Sequence, residues 1–311
     1  MSVEKVIVIV GPTAVGKTAL GVQLAQLFNG EVISGDSMQV YRGLDIGTAK
    51  VTDAEKGDVP HHLIDVRDVD EPYTASDFQQ MGRAKINEIT AREHIPIVVG
   101  GTGLYIESLL YNMSHGEADP DPDFRTEMEA LAEKESRQFV WEKLEAIDPE
   151  AADNIHPNNL VRTIRALEVH YVTGQKFSDY KKQQNECQPL YDTFIIGLNT
   201  DRELLYNRIN QRVDLMMADG LIDEARWLDC AVSRDAQSIR GIGYKELFAY
   251  FDGEIELQEA TSDIKQASRH YAKRQLTWFR NKTAVDLWVN LVEYPEELEQ
   301  IKQAVRTFLK G

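Results

Sequence analysis

Lys5-Val-Ile-Val-Ile-Val10-Gly11-Pro12-Thr13-Ala14-Val15-Gly16-Lys17-Thr18 decides how this 311-residue chain folds. The run Val6–Val10 has the length and continuous apolar character of a buried strand, and a helical pattern follows from Gly16 to Phe28. Between them stands G-x-x-x-x-G-K-[ST], in the strand-loop-helix context that this pattern requires. Its glycines let successive amides and the helix N-terminus converge on an anion. Lys17 adds a point charge, and the Thr18 hydroxyl is a candidate Mg2+ ligand. A ligand carrying a di- or triphosphate is expected here.

Further short apolar runs follow at Glu31–Ser34, His62–Val66, Ile95–Val99 and Thr193–Leu198, with helical patterns at Ser76–Glu93 and Gly103–Tyr111. Alternation of this kind predicts an α/β fold, a P-loop NTPase-like parallel sheet core with helices on both faces. Residues 117–187 differ: Asp119-Pro-Asp-Pro-Asp123 breaks the chain and only helical patterns follow, so an all-helical insertion domain is expected. The core is then 1–116 with 188–311, closed by an amphipathic helix after Pro295.

In nucleotide hydrolases a later strand ends in a metal-shell Asp. Ile95-Pro-Ile-Val-Val99 ends instead in Gly100-Gly-Thr-Gly103, and the carboxylate follows the second strand, as Asp36. At the carboxyl end of a neighbouring parallel strand Asp36 shares the crevice of the phosphate loop. It is a candidate base or metal-shell ligand; a turn or helix-capping Asp is the alternative.

The chain carries 51 acidic and 34 basic side chains, a net charge of −17, which excludes a protein that coats nucleic acid by overall charge. The charge is segregated. Residues 117–153 hold thirteen acidic against four basic side chains, whereas Ile264–Val285 holds Lys265, Arg269, Lys273, Arg274, Arg280 and Lys282 with no acid. This basic helix suits phosphate contact, so the acidity is expected to face away from a nucleic-acid substrate that enters by one positive channel. Its aromatics Tyr271, Trp278 and Phe279 fit either base stacking or core packing. Cys187 and Cys230 have no metal-site or disulfide spacing, and His61 and His62 have no metal-like partner spacing. No apolar run is long enough for a membrane span and no leader pattern is present, so a cytoplasmic protein, a monomer, is expected.

The motifs Gly11–Thr18, Ile33-Ser-Gly-Asp36-Ser37-Met38-Gln39-Val-Tyr41, Gly43-Leu-Asp-Ile-Gly-Thr-Ala-Lys50, Pro60-His-His-Leu-Ile-Asp65, Gly100-Gly-Thr102-Gly-Leu-Tyr105 and Ile239-Arg240-Gly241-Ile242-Gly243-Tyr244-Lys245-Glu246 occur in that order. Together they resemble the bacterial tRNA dimethylallyltransferase family. The resemblance implies that the loop binds the diphosphate of dimethylallyl diphosphate, not ATP, and that the five-carbon group passes to N6 of the adenine on the 3′ side of the tRNA anticodon. It implies Mg2+ on Thr18, with Lys17 and Thr18 acting on the leaving group and Asp36 as base. Gly11, Pro12, Thr13, Ala14, Val15, Gly16, Lys17 and Thr18 would hold the diphosphate, joined by Arg212 unless that residue is an exposed helix cation.

For the tRNA anticodon stem-loop the resemblance assigns Asp36, Ser37, Met38 and Gln39 to the entry, Thr102 and Arg125 to its rim, and Arg240–Lys245 to the flanking nucleotides. Val161, Arg162, Thr163, Ile164 and Arg165 would meet the anticodon loop. Arg162 and Arg165 share a helix face, a geometry for a backbone phosphate or for a solvated charged surface. Eukaryotic relatives carry a C-terminal zinc finger; no Cys/His cluster is present here and no zinc is expected. The competing readings are a small-molecule or nucleotide kinase, which would consume ATP, and a non-catalytic tRNA-binding nucleotide switch.

Overall fold

The computed structural model describes residues 3–113, 121–179, 182 and 188–311. Cys187, and Asp119 and Pro120 of the Asp/Pro break, lie outside the described residues; Cys230 is an exposed free thiol. Contacts divide the chain into Met1–Leu110 with Leu190–Gly311, and Tyr111–Pro189.

The first unit is built on strands β1 (Lys5–Val10), β2 (Gly30–Ser34), β3 (His61–His62), β4 (Ile95–Gly100), β5 (Asp192–Leu198) and β6 (Leu287–Val289), in the order β3-β2-β4-β1-β5-β6. All neighbouring pairs are parallel. Val6–Val10 are completely buried, the continuous apolar pattern that an inner parallel strand requires. Between strands run α1 (Lys17–Phe28), the short α2 (Asp53–Lys56), α3 (Ala75–Ala91) and α4 (Gly103–Leu110). Thr74 starts α3 through a reciprocal capping box with Asp77.

Parallel strands present all their carboxyl ends at one edge. The turn after β2, the turn after β4 and the loop after β1 are therefore side by side, because those strands are neighbours.

The strand expected over His62–Val66 is only two residues long. Leu63 and Asp65 take left-handed φ of 61° and 55°, and the chain leaves the sheet to pair with the turn after β2: Asp65 N–H donates to Gln39 O and Val66 N–H to Val40 O. Local patterning could not show this competition. The three-residue β6 was also not expected. It adds an edge where Trp288 lies against Gly197, at which a Cβ would fall 2.6 Å from the indole.

The second unit contains α5 (Pro122–Lys134), α6 (Arg137–Ile147), α7 (Pro149–Asp153) and α8 (Leu160–Thr173). Asp121, Ser136, Asp148 and Asn159 each cap a helix by accepting an N–H from the first turn, and prolines open α5 and α7. Val140, Leu144, Ile164 and Leu167 form its core. At its base Tyr111 and Pro189 form an antiparallel bridge.

In the first unit the chain then continues through α9 (Arg202–Asp219), α10 (Leu221–Ala231), a 3-10 turn Ser238–Arg240, α11 (Lys245–Phe251), α12 (Leu257–Lys282) and α13 (Glu297–Lys310). No helix among the described residues is long and apolar enough to cross a membrane.

Candidate active site

Gly11 begins the phosphate loop at φ 145°, where a Cβ would stand 2.4 Å from Leu198 O; only glycine passes β5 this closely. Val15 is buried, so it contributes backbone alone to the loop. Thr18 is exposed in the first turn of α1. Two cations from α9 reach the loop: Arg212 Nη1 donates to Thr13 Oγ1 at 3.1 Å, and Arg208 Nε to Ala14 O at 2.8 Å. Arg212 is thus a loop cation and not a solvated helix residue.

Lys17 Nζ donates to Pro12 O at 2.6 Å. Burial, and then Arg212, push its ammonium down to about 7, with Asp36 pulling the other way. Two cations held together in a desolvated loop constitute a site prepared for negative charge.

Asp36 follows β2 and sits half-buried beside that loop, within electrostatic reach of both Lys17 and Arg212. Its Oδ1 accepts Met38 N–H at 2.8 Å and Gln39 N–H at 3.3 Å. One carboxylate oxygen therefore does what a turn Asp does. Oδ2 has no partner among the described residues. The turn role is thus met by one oxygen, and the other is left open. Thr102, after β4, donates from Oγ1 to Ser37 Oγ at 3.4 Å and joins the two turns.

Several other sequence-selected residues are placed differently. Gln39 turns its amide inward, accepting from Ser34 and donating to Thr48 O and Ala49 O. Tyr244 is fully buried, its hydroxyl donating to Glu224 Oε1 at 2.7 Å, so it is a core residue and not a nucleotide contact. Within 240–245 only Arg240 and Lys245 are exposed, Ile242 is partly so, and Gly241 and Gly243 are buried. Met38 lies over Gly241.

In the helical unit the buried carboxylate of Glu168 takes Arg125 bidentately at 2.7 and 2.9 Å and Arg165 at 2.5 Å. A buried charge demands such partners, so both arginines are held by Glu168 and do not form the phosphate clamp expected of Arg162 and Arg165. Thr163 and Ile164 point into the helical core; Val161 and Arg162 are exposed.

The basic helix α12 does not present one face. Lys265 pairs with Asp214 at 2.6 Å and Arg269 donates to Asn210 at 2.7 Å, both on α9, while Arg280 lines a cleft with Asp201, Glu293 and Glu297. Lys273, Arg274 and Lys282 remain exposed. Its aromatics pack against protein: Phe279 is completely buried, Trp278 covers Gly103, and Tyr271 lies beside Asp36 and Thr102. His61 and His62 are partly buried; His62 Nε2 lies 2.6 Å from Glu31.

One site residue, Gln275, escaped the sequence reading. Gln275 of α12 accepts Thr13 N–H at 2.9 Å, and Tyr271 stands one turn earlier. The available signal was a polar residue inside the buried stripe Ile264, Ala272, Gln275, Phe279, since buried polar groups have partners.

The sheet, the glycine-rich loop after an inner strand, and its Lys17 and Thr18 define a P-loop α/β protein. Residues 39–282 match the family described as IPP transferase. The chain belongs to the IPP transferase family. The tRNA dimethylallyltransferase of Latilactobacillus sakei is 56% identical over the full length of both chains, and that of Bacillus subtilis 51% identical over 99% of this chain and 97% of its own. Among solved structures, the tRNA isopentenylpyrophosphate transferase of Bacillus halodurans superposes with a TM-score of 0.75 at 47% identity, covering 99% and 97% of the two chains. A eukaryotic dimethylallyltransferase acting on tRNA gives 0.82 at 31% identity, covering 98% of this chain and 79% of its own.

Proposed function

We propose that this chain is a tRNA dimethylallyltransferase, moving the dimethylallyl group of dimethylallyl diphosphate to N6 of the adenine 3′-adjacent to the anticodon and releasing diphosphate. The observation that carries the reading is the placement of Asp36 beside a phosphate loop that holds Lys17 and Arg212, in a member of this family. A base and a leaving-group site on adjacent strand ends suit displacement at an allylic carbon.

The loop amides, Lys17 and Arg212 neutralise the diphosphate as its C1–O bond breaks. The adenine amine is a weak nucleophile, because its lone pair is delocalised into the ring. As the C1–N6 bond forms, Asp36 Oδ2 takes the N6 proton while Oδ1 stays on the Met38 and Gln39 amides, which keep the carboxylate aimed. The adenine has to leave the anticodon stack to reach this pocket.

Mg2+ fits the donor set: the exposed Thr18 hydroxyl in the first turn of α1 is the sparse protein contribution that this ion takes alongside phosphate oxygens and water. Thr18 would hold it, and it would supply further charge neutralisation on the leaving diphosphate. Ser37, Met38 and Thr102 form the acceptor side, with Arg240 and Lys245 for flanking phosphates. Residues 117–187, through Val161 and Arg162, would serve as the domain that contacts the anticodon loop. The enzyme acts as a cytoplasmic monomer in this reading.

Radiolabelled dimethylallyl diphosphate with unmodified tRNA should give labelled tRNA and one pyrophosphate per transfer. ATP consumption without labelling would overturn the proposal in favour of a kinase.

A further inference from the structure

Gln275 is 5% exposed and lies on α12 between the completely buried Ala272 and Phe279, so its backbone is fixed to the core. Its carboxamide uses both ends. Oε1 accepts Thr13 N–H of the phosphate loop at 2.9 Å, and Nε2 donates to Gly101 O, in the turn after β4, at 3.0 Å. The approach needs glycine at 101, where a Cβ would fall 2.1 Å from Nε2.

The next residue, Thr102, bonds Ser37 beside Asp36, and Tyr271 is in hydrogen-bond contact with both Thr102 and Gln275. Burial pushes the Tyr271 hydroxyl up to about 12, so it stays neutral in this network. At the other end, Thr13 carries the Arg212 bond on its side chain. One glutamine thus stands between the leaving-group side and the acceptor side.

We propose that Gln275 is a positioning residue of the transfer: by tying Thr13 of the phosphate loop to Gly101 of the turn after β4, it fixes the separation between the leaving diphosphate and the Ser37–Asp36 acceptor edge. The inference rests on the function proposed above. Gln275 spends the Thr13 amide on this link, so that amide is withdrawn from ligand contact and its role is geometric. Only a side chain of this length with one acceptor and one donor makes both bonds: Asn is short, Met has neither, and ionised Glu cannot donate. A shift of about 1 Å in reacting groups can cost about 100-fold in rate.

The test compares wild type, Gln275→Met and Gln275→Glu, with kcat and KM measured for each substrate per folded molecule. Gln275→Met is expected to lower kcat about 100-fold while KM for tRNA holds within about 3-fold. Gln275→Glu, whose carboxyl regains a donor when protonated, should recover relative to wild type as pH falls, its kcat ratio rising about 10-fold from pH 8 to 6. A pH-independent ratio for Gln275→Glu, or wild-type kcat in Gln275→Met, would overturn the assignment. Should Gln275→Met not fold, the Gln275→Glu ratio decides alone. A wild-type protein that transfers no label would instead overturn the proposed function, so the two failures are separable.

Discussion

A single carboxylate with one oxygen committed to backbone and one left for chemistry makes Asp36 separable by substitution. Asp36→Asn keeps an acceptor for the Met38 and Gln39 amides but has no base, so the turn and tRNA affinity should survive. Its kcat is expected to fall about 100- to 10,000-fold, checked by single-turnover labelling of tRNA. Lys17 sets a pH dependence with a definite sign. With its free-state value near 7, the ammonium is charged below that pH, and diphosphate binding above it must take up a proton. KM for dimethylallyl diphosphate should therefore rise with pH above about 7, approaching 10-fold per unit, in a KM profile over pH 6 to 9. At this scale the sequence was readable for the loop, where glycine spacing and its strand context leave little freedom. It did not show that Arg125 and Arg165 are held by Glu168 or that Tyr244 is buried on Glu224, because these partners are fixed by tertiary packing. Arg165 and Glu168 are three residues apart on one helix face, so the pairing was written locally, but nothing local showed that Glu168 would be buried.

Elements in this protein are held to one another by buried carboxylates. Glu31 on β2 is 3% exposed; burial pushes its carboxyl up, but Arg92, His62 on β3 and His94 ahead of β4 outweigh this and hold it at about 2. A carboxyl depressed in this way stabilises the fold fully above the ordinary value of 4.5, and the contribution is lost as pH falls toward 2. Glu31→Gln should cost roughly 2 kcal/mol at pH 7, read by denaturant melts, with the difference from wild type shrinking below pH 4.5. Glu224 on α10 performs a similar task on the Asp45–Gly47 loop, accepting three backbone N–H groups at 2.8 Å and the Tyr244 hydroxyl. The inner strands and α1 were legible because continuous apolar runs and helical periodicity agree with their burial. The early end of β3 and the addition of β6 were not, because each depends on a partner distant in sequence.

Across the whole molecule, the charge segregation visible in the sequence becomes a distribution over both units. With Arg125 and Arg165 sharing the one carboxylate of Glu168, and Lys265 and Arg269 engaged on α9, the exposed cations among those selected from the sequence include Arg162, Arg240, Lys245, Lys273, Arg274 and Lys282. If about four of them meet phosphates, log Kd for tRNA should change with log salt by a slope of about 3 to 4. A filter-binding titration from about 50 to 200 mM salt reads this, and a flat response would exclude phosphate contact by these side chains. Leu190 N–H donates to Leu110 O at 2.9 Å, so the core chain departs and returns at the same place. To the sheet, everything from Tyr111 to Pro189 is then a closed loop, and the entropy of closing a loop grows by only about 0.6 kcal/mol for each doubling of its length. Folding of the core is therefore little affected by the length of what is carried there, so insertions of different size can be borne at this crossing at small entropic cost to the sheet.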